Sequence, residues 1–325
     1  MDERLQFKRL NAVTIGESMI AFEALDYGPL RESELFHKWV GGAEDNFAIG
    51  LARLGFKCGW FSRLGADEFG KEVYRTIKGE GVDVSRVISD PDAQTGIFFV
   101  ERSSRSDFKC YFYRQASAAS RISPDDIDPD YIRQARIVYL TGITPVISES
   151  AREATEKIYR VALESDQTIV FDPNLRLRLC SIDTARSILI PLMQKSAYVL
   201  PGDEELKLLM DCSGLPEAIE KAHSMSIDNL VVKVGAEGAV LARAGEKPKH
   251  VSGFSLKHPV SSMGAGDCFG AGFVAGLLKE QPLEQCVRWG NALGAFCLMA
   301  WGPYQGLPDY NEFQAFLSGE SGISR

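Results

Sequence analysis

Pro259-Val-Ser-Ser-Met-Gly-Ala-Gly-Asp-Cys-Phe-Gly-Ala-Gly-Phe-Val-Ala-Gly-Leu-Leu278 is the stretch on which the reading of the chain turns. It begins small and polar and becomes an apolar run, a pattern that predicts a tight turn opening into a buried helix. Gly264, Ala265 and Gly266 carry almost no side chain, so the backbone there is open to contact. The first N–H groups of a helix lack intrahelical partners and lie at the positive end of its dipole. Such a terminus suits an anion, most often a phosphate. Asp267 falls in the first helical turn, either as a cap or as a base beside the bound anion. The alternative is that the glycines serve only close packing. No Lys-Ser/Thr follows them, so this is not a Walker A loop, and it is not the glycine fingerprint of a first βαβ unit.

Upstream, Gly41-Gly-Ala-Glu-Asp-Asn-Phe-Ala-Ile-Gly-Leu-Ala-Arg-Leu-Gly55 is a second glycine-rich entry to a helix, with Gly55 as its stop. It reads either as a tightly packed helix or as a second terminus where a ligand meets bare backbone, with Asn46 as donor. Strands are expected at 11–16, continuing or followed by another at 19–22, and at 57–65, 82–88, 95–101 and 109–114. The last two form a hairpin outside the β-α-β alternation, a small β layer beside the main sheet. Arg114 shares a strand face with Phe112; an arginine there is either exposed or paired with a carboxylate. From residue 136 strands and helices alternate. Ser148 caps one helix, and helices cover 181–195 and 283–300. Five polar or glycine-rich clusters follow predicted strand ends: 141–142, 172–176, 201–205, 235–238 and the opening stretch itself. In an open parallel α/β sheet, that edge binds ligands.

Composition excludes several classes. The chain has 325 residues, 45% of them hydrophobic and 25% charged, enough for one large α/β domain with an appendage or for two domains. A net charge of −8 argues against nucleic acid as a partner. No apolar run reaches the roughly 18 residues of a membrane span. The N-terminal residues lack an apolar signal region, so a cytoplasmic location is expected. The seven cysteines are scattered without a Cys-x-x-Cys, which suits free thiols, and the four histidines show no metal-ligand spacing. Residues 318–325 are expected to fray.

Gly41-Gly-Ala-Glu-Asp-Asn46 and Gly264-Ala-Gly-Asp-Cys-Phe-Gly-Ala-Gly272, with Val232-Lys-Val-Gly-Ala-Glu-Gly238 between them, resemble the two signatures of the ribokinase (PfkB) carbohydrate kinase family and their spacing. The resemblance covers almost the whole chain. It implies a single ribokinase-like domain over 1–325: a doubly wound, mostly parallel α/β sheet flanked by helices, with a small β-sheet lid from segments near 17–40 and 93–121. It implies that Asp267 activates the sugar hydroxyl and that Gly264, Ala265 and Gly266 form an anion hole. It also implies ATP and Mg²⁺, with Asn174, Lys233, Gly235, Glu237, Gly238 and Asn291 beside the nucleotide.

Within the family, Gly16-Glu17, Tyr113-Arg114, Thr141-Gly-Ile-Thr-Pro145 and Phe171-Asp-Pro-Asn-Leu-Arg176 make the chain similar to the 2-keto-3-deoxygluconate kinases. The resemblance implies that Gly42, Asn46, Arg114 and Arg176 contact an acid sugar, with Phe98 and Phe112 on the lid. Two arginines suit a carboxylate. Three departures stand out. Phe98 and Phe112 replace tyrosines, and Gly202 replaces the asparagine of an Asn-x-x-Glu motif whose Glu205 is left to hold Mg²⁺ through water. Ser261, followed by Ser262 and Met263, replaces an aspartate of a monovalent-cation loop. The competing expectations are a fructokinase-like or other sugar kinase, and a catalytically silent sugar- or nucleotide-binding regulator. The exposed face of the lid offers a surface for pairing with a second copy.

Overall fold

Residues 9–103, 108–256, 259–261 and 263–319 are described by a computed structural model. Ser262 and residues 320–325 lie outside them. The strands, in chain order, are β1 (Leu10–Ile15), β2 (Met19–Tyr27), β3 (Phe36–Gly41), β4 (Cys58–Phe61), β5 (Arg63–Gly65), β6 (Ile88–Asp90), β7 (Ile97–Arg102), β8 (Phe108–Tyr113), β9 (Ala135–Thr141), β10 (Thr168–Asp172), β11 (Tyr198–Val199), β12 (Asn229–Lys233), β13 (Gly238–Arg243) and β14 (Lys249–Ser252). Eight of them form one sheet in the order β14-β13-β12-β11-β10-β9-β1-β4. It is parallel from β12 to β4, with β13 and β14 antiparallel at one edge.

Both faces of this sheet are covered, which is why its strands are apolar throughout rather than alternating. Ala12, Ile137, Tyr139, Val170 and Val231 pack on one side. The helices there are α1 (Ala43–Arg53), α2 (Glu68–Gly79), α9 (Ala265–Leu278), α10 (Leu283–Cys297) and α11 (Tyr310–Ser318). Val13, Val138, Ile169, Phe171 and Leu230 pack on the other. That side carries α3 (Pro129–Arg133), α5 (Glu149–Glu164), α6 (Ile182–Gln194), α7 (Asp203–Met210) and α8 (Leu215–Ser224), and the short α4 (Thr144–Ile147) precedes α5. The small residues of α9 let α10 approach closely: a Cβ on Gly272 would come within 2.4 Å of the Trp289 carbonyl. Ser148 caps α5 by accepting from the Ala151 N–H (3.1 Å). Among the described residues no helix is long and apolar enough to cross a membrane.

The hairpin belongs to a second sheet, in the order β3-β2-β7-β8. Its β2–β7 pairing is parallel and its outer pairings are antiparallel. One face buries Met19, Ala21, Trp39, Phe98 and Val100.

Two expected strands are corrected. Residues 57–65 do not form one strand: β4 ends at Phe61 and β5 starts at Arg63 in a separate two-stranded sheet with β6. Arg63 is drawn away by ion pairs to Asp126 (2.7 Å) and Asp90 (3.1 Å). Residues 82–88 do not form one strand: up to residue 87 there is only an isolated bridge at Asp83, because the Asp83 carboxylate accepts from the Ser85 N–H (2.8 Å) and turns the chain. The strand there is instead β6. The helix expected over 283–300 ends at Cys297.

Candidate active site

The C-terminal ends of β9, β10, β11 and β12, the N-termini of α1 and α9, and the buried face of the second sheet surround one cleft of about 950 Å³. Gly264 caps α9 with φ 81°, a left-handed conformation that strains other residues. A Cβ there would also lie 2.6 Å from that of Pro303. The glycine is therefore required twice over, and the turn aims the first N–H groups of α9 at the cleft. Lys233, at the end of β12, extends to the same spot: its Nζ lies 3.3 Å from where a Cβ on Gly266 would be.

Asp267 is buried in the first turn of α9. Asn46 Nδ2 donates to its Oδ2 (2.9 Å) and Asn174 Nδ2 to its Oδ1 (3.2 Å). Burial pushes its carboxyl up to about 7; the Asn46 bond works against this, the Asp172 charge adds to it, and Arg176 and Lys233 oppose it. A carboxylate poised there is suited to take a proton near neutral pH. Asn46 is brought in by α1, which starts at Gly42. A Cβ on Gly42 would meet the Glu17 carbonyl at 2.1 Å, so only glycine lets α1 start against that backbone, and Gly42 itself lines the cleft.

Lys233 pairs with the fully buried Asp172 at 2.5 Å. Burial works against its ammonium, yet Asp172, Glu205 and Asp267 outweigh that and hold its pKa above the ordinary value. It remains a cation beside the α9 terminus. Asn174, expected beside the nucleotide, is held at φ 40° with its N–H on Asp172 (3.0 Å) and its amide on Asp267. Gly235, Ala236, Gly238 and Asn291 line the cleft, and the exposed Glu237 is not among its lining residues. Asn291 donates to the Val251 and Ser252 carbonyls (3.0 and 3.2 Å), which anchors β14 to α10.

Glu205 accepts from the Leu175 and Gly202 N–H groups (2.9 and 2.8 Å), bracing the β10 and β11 loops against each other. Among the described residues no group of three or more acidic, histidine or cysteine side chains could hold a metal. Mg²⁺ is usually held by one or two carboxylates together with substrate phosphates. Glu205, which lines the cleft and keeps free lone pairs, fits that arrangement.

The second sheet contributes apolar rings. Phe98 stacks on Phe112 (5.1 Å) and meets Trp39 edge-on (5.4 Å). Arg114 also lines the cleft, but its guanidinium forms a buried ion pair with Glu17. Glu17 accepts in addition from the Ser117 hydroxyl (2.5 Å). Of the two open alternatives for Arg114, pairing with a carboxylate is therefore the one found, and the carboxylate is internal. Arg176 is exposed in the cleft, with no carboxylate within ion-pair distance among the described residues. Ser261 is buried, and its hydroxyl accepts from the Met263 N–H (3.3 Å).

Sequence reasoning missed Glu17 and Glu44 as members of this neighbourhood. Glu44 is buried under the cleft, accepts from the Thr141 and Thr144 hydroxyls (2.6 and 3.0 Å), and burial raises its carboxyl to about 7. The available signal was position: each follows a glycine-bearing end of an element on the ligand-binding edge.

The family model described as pfkB family carbohydrate kinase matches residues 9–309. The 2-dehydro-3-deoxygluconokinase of Bacillus subtilis (strain 168) is 36% identical, covering 96% of this chain and 97% of its own. The 2-dehydro-3-deoxygluconokinase of Thermoproteus tenax is 34% identical, covering 95% and 94%. A putative ribokinase II from E. coli, solved in complex with ATP and Mg²⁺, superposes with a TM-score of 0.88 at 26% identity, over 95% of this chain and 99% of that one. The glycine turn and its aspartate thus sit in a known frame: the chain belongs to the pfkB family of carbohydrate kinases.

Proposed function

We propose that the protein transfers the γ-phosphoryl group of ATP to the terminal hydroxyl of 2-dehydro-3-deoxygluconate (2-keto-3-deoxygluconate). The observation that carries this reading is Asp267: a buried carboxylate with its pKa near 7, set in the first turn of a glycine-capped helix whose free N–H groups open on the same cleft. In the proposed reaction Asp267 takes the proton of the acceptor hydroxyl. That oxygen bonds to the γ-phosphorus as the bond to the ADP oxygen breaks. The N–H groups of Gly264, Ala265 and Gly266, with the Lys233 ammonium, hold the charge on the transferring group. Glu205 is the residue that would meet Mg²⁺ through water, and when bound that ion neutralises phosphate charge.

Asn46 and Gly42 would position the acceptor and Phe98 and Phe112 would cover it. Gly235 and Gly238 would border the nucleotide, with Asn291 behind them. The acid sugar is favoured over a neutral one because Arg176 enters the cleft without a carboxylate partner. The second sheet would act as a lid on a single domain. Tyr111 and Tyr113, 40% and 64% exposed on its outer face, suit pairing with a second copy. The test is an ATP-coupled assay over aldoses, ketoses and keto-deoxy acids. Phosphorylation of the keto-deoxy acid is expected. Preference for fructose would favour a fructokinase-like enzyme, and no ATP consumption with any sugar would favour a silent regulator.

A further inference from the structure

Arg102 stands at the end of β7, buried, outside the set of groups given a chemical role above. One guanidinium nitrogen donates to Glu23 Oε1 of β2 (3.2 Å) and another to the Val260 carbonyl (3.3 Å). The group also lies 4.0 Å from the centre of the Trp301 ring. The other Glu23 oxygen accepts from the Trp39 indole N–H (3.0 Å), and Trp39 packs edge-on against the cleft-facing Phe98. A continuous set of contacts therefore runs from the aromatic wall of the cleft to the segment that ends in Gly264.

That segment is pinned from its other side. The Val260 N–H donates to the Leu298 carbonyl (2.7 Å), and the Cys297 thiol donates to the Met263 carbonyl (3.1 Å). Gly264 then lies against Pro303, two residues beyond Trp301. Arg102 is thus a group of the second sheet that touches both segments framing the anion-binding turn. Burying a charge is costly unless it is paired and fully hydrogen-bonded, and an apolar residue could fill the same space. A planar guanidinium can donate in two directions while stacking on a ring, which neither lysine nor an apolar side chain does.

We infer that Arg102 is a positioning residue for phosphoryl transfer: it clamps the segment leading to Gly264 onto the sugar-facing sheet, so that acceptor wall and anion hole keep one register. The inference rests on the kinase reading of Asp267 and α9. The test compares wild type with Arg102→Met and with the double variant Glu23→Gln/Arg102→Met, which leaves no unpaired buried carboxylate if the single variant fails to fold. In the folded variant kcat should fall about 10- to 100-fold, the scale of a misplacement near 1 Å. The acceptor KM should stay within about threefold, since the sugar wall itself is intact. Amide hydrogen exchange at Val260 and Cys268, whose N–H groups donate to the Leu298 and Gly264 carbonyls on either side of the turn, measured without substrates, should quicken at least about tenfold while α5 is unchanged.

Unchanged kcat, or unchanged exchange at the turn, in a folded variant would overturn the clamp. So would a raised acceptor KM with normal kcat, which would confine Arg102 to the sugar sheet. If the wild type phosphorylates no sugar, the kinase reading fails by itself and the exchange measurement alone decides for or against the clamp.

Discussion

Replacing Asp267 with asparagine should make the protein more stable and nearly inactive at once. In the substrate-free molecule burial raises the carboxyl from an ordinary 3.8 to about 7. At about 1.36 kcal/mol per pH unit this corresponds to roughly 4 kcal/mol of lost stability once the group is ionised, an upper bound given structural relaxation. The sign follows from proton counting. Between pH 4 and 7 the folded state holds a proton that the unfolded state has released, so stability falls as pH rises and levels off above 7. Asp267→Asn removes that penalty. Its amide also has partners ready: Asn46 Oδ1 and Asn174 Oδ1 are buried without hydrogen bonds, and either can accept after an amide flip.

Denaturant unfolding of both proteins at pH 4.5 and pH 8 measures the effect. The variant should gain about 2–4 kcal/mol over wild type at pH 8 and much less at the lower pH. Its turnover at pH 8 should drop about 10²- to 10⁴-fold, the size of a general-base contribution. A folded variant with near-normal turnover would remove Asp267 from the chemistry. A stability difference independent of pH would contradict the raised carboxyl.

Further outcomes follow from the same geometry. Wild-type kcat/KM for the acceptor should rise with pH through about 7 as Asp267 loses its proton, and a flat profile from pH 5.5 to 8.5 would exclude a base of that pKa. Arg176→Ala should raise the acid-sugar KM by about tenfold and leave that for ATP alone, whereas equal losses for acid and neutral sugars would exclude carboxylate recognition. Arg114→Ala should instead destabilise the fold by about 3–5 kcal/mol, because it strands the buried Glu17, and a normal melting temperature would refute that pairing. Activity in potassium-free buffer at fixed ionic strength should equal that with potassium, since Ser261 is neutral and its hydroxyl already accepts the Met263 N–H; saturable activation by potassium would contradict this.

The parts legible in the sequence are those where backbone need and residue type coincide. Gly264 predicts the turn because only glycine tolerates both its left-handed conformation and the approach of Pro303. Gly55, at φ 83°, marks the stop of α1 for the first of these reasons. Long-range pairing was not legible. Nothing near Arg63 reveals that Asp90 and Asp126 pull it out of the β4 line. Glu17, 97 residues from Arg114, pairs with it inside the protein, a contact that the resemblance does not reveal. Asn174 and Glu205 illustrate a subtler limit: their motif places them at the cleft, but the atoms they engage — Asp267 for one, backbone N–H groups for the other — follow from the loops that carry them.

The most direct test of the proposed function is the ratio of kcat/KM for 2-dehydro-3-deoxygluconate to that for fructose, measured with saturating ATP and Mg²⁺. A charge-assisted contact between Arg176, exposed in the cleft, and the acid's carboxylate would contribute about 1–2 kcal/mol, or a ratio of roughly 5 to 30. A ratio in that range is the predicted result. A ratio near or below one would contradict acid-sugar specificity, even with Asp267 confirmed as the base.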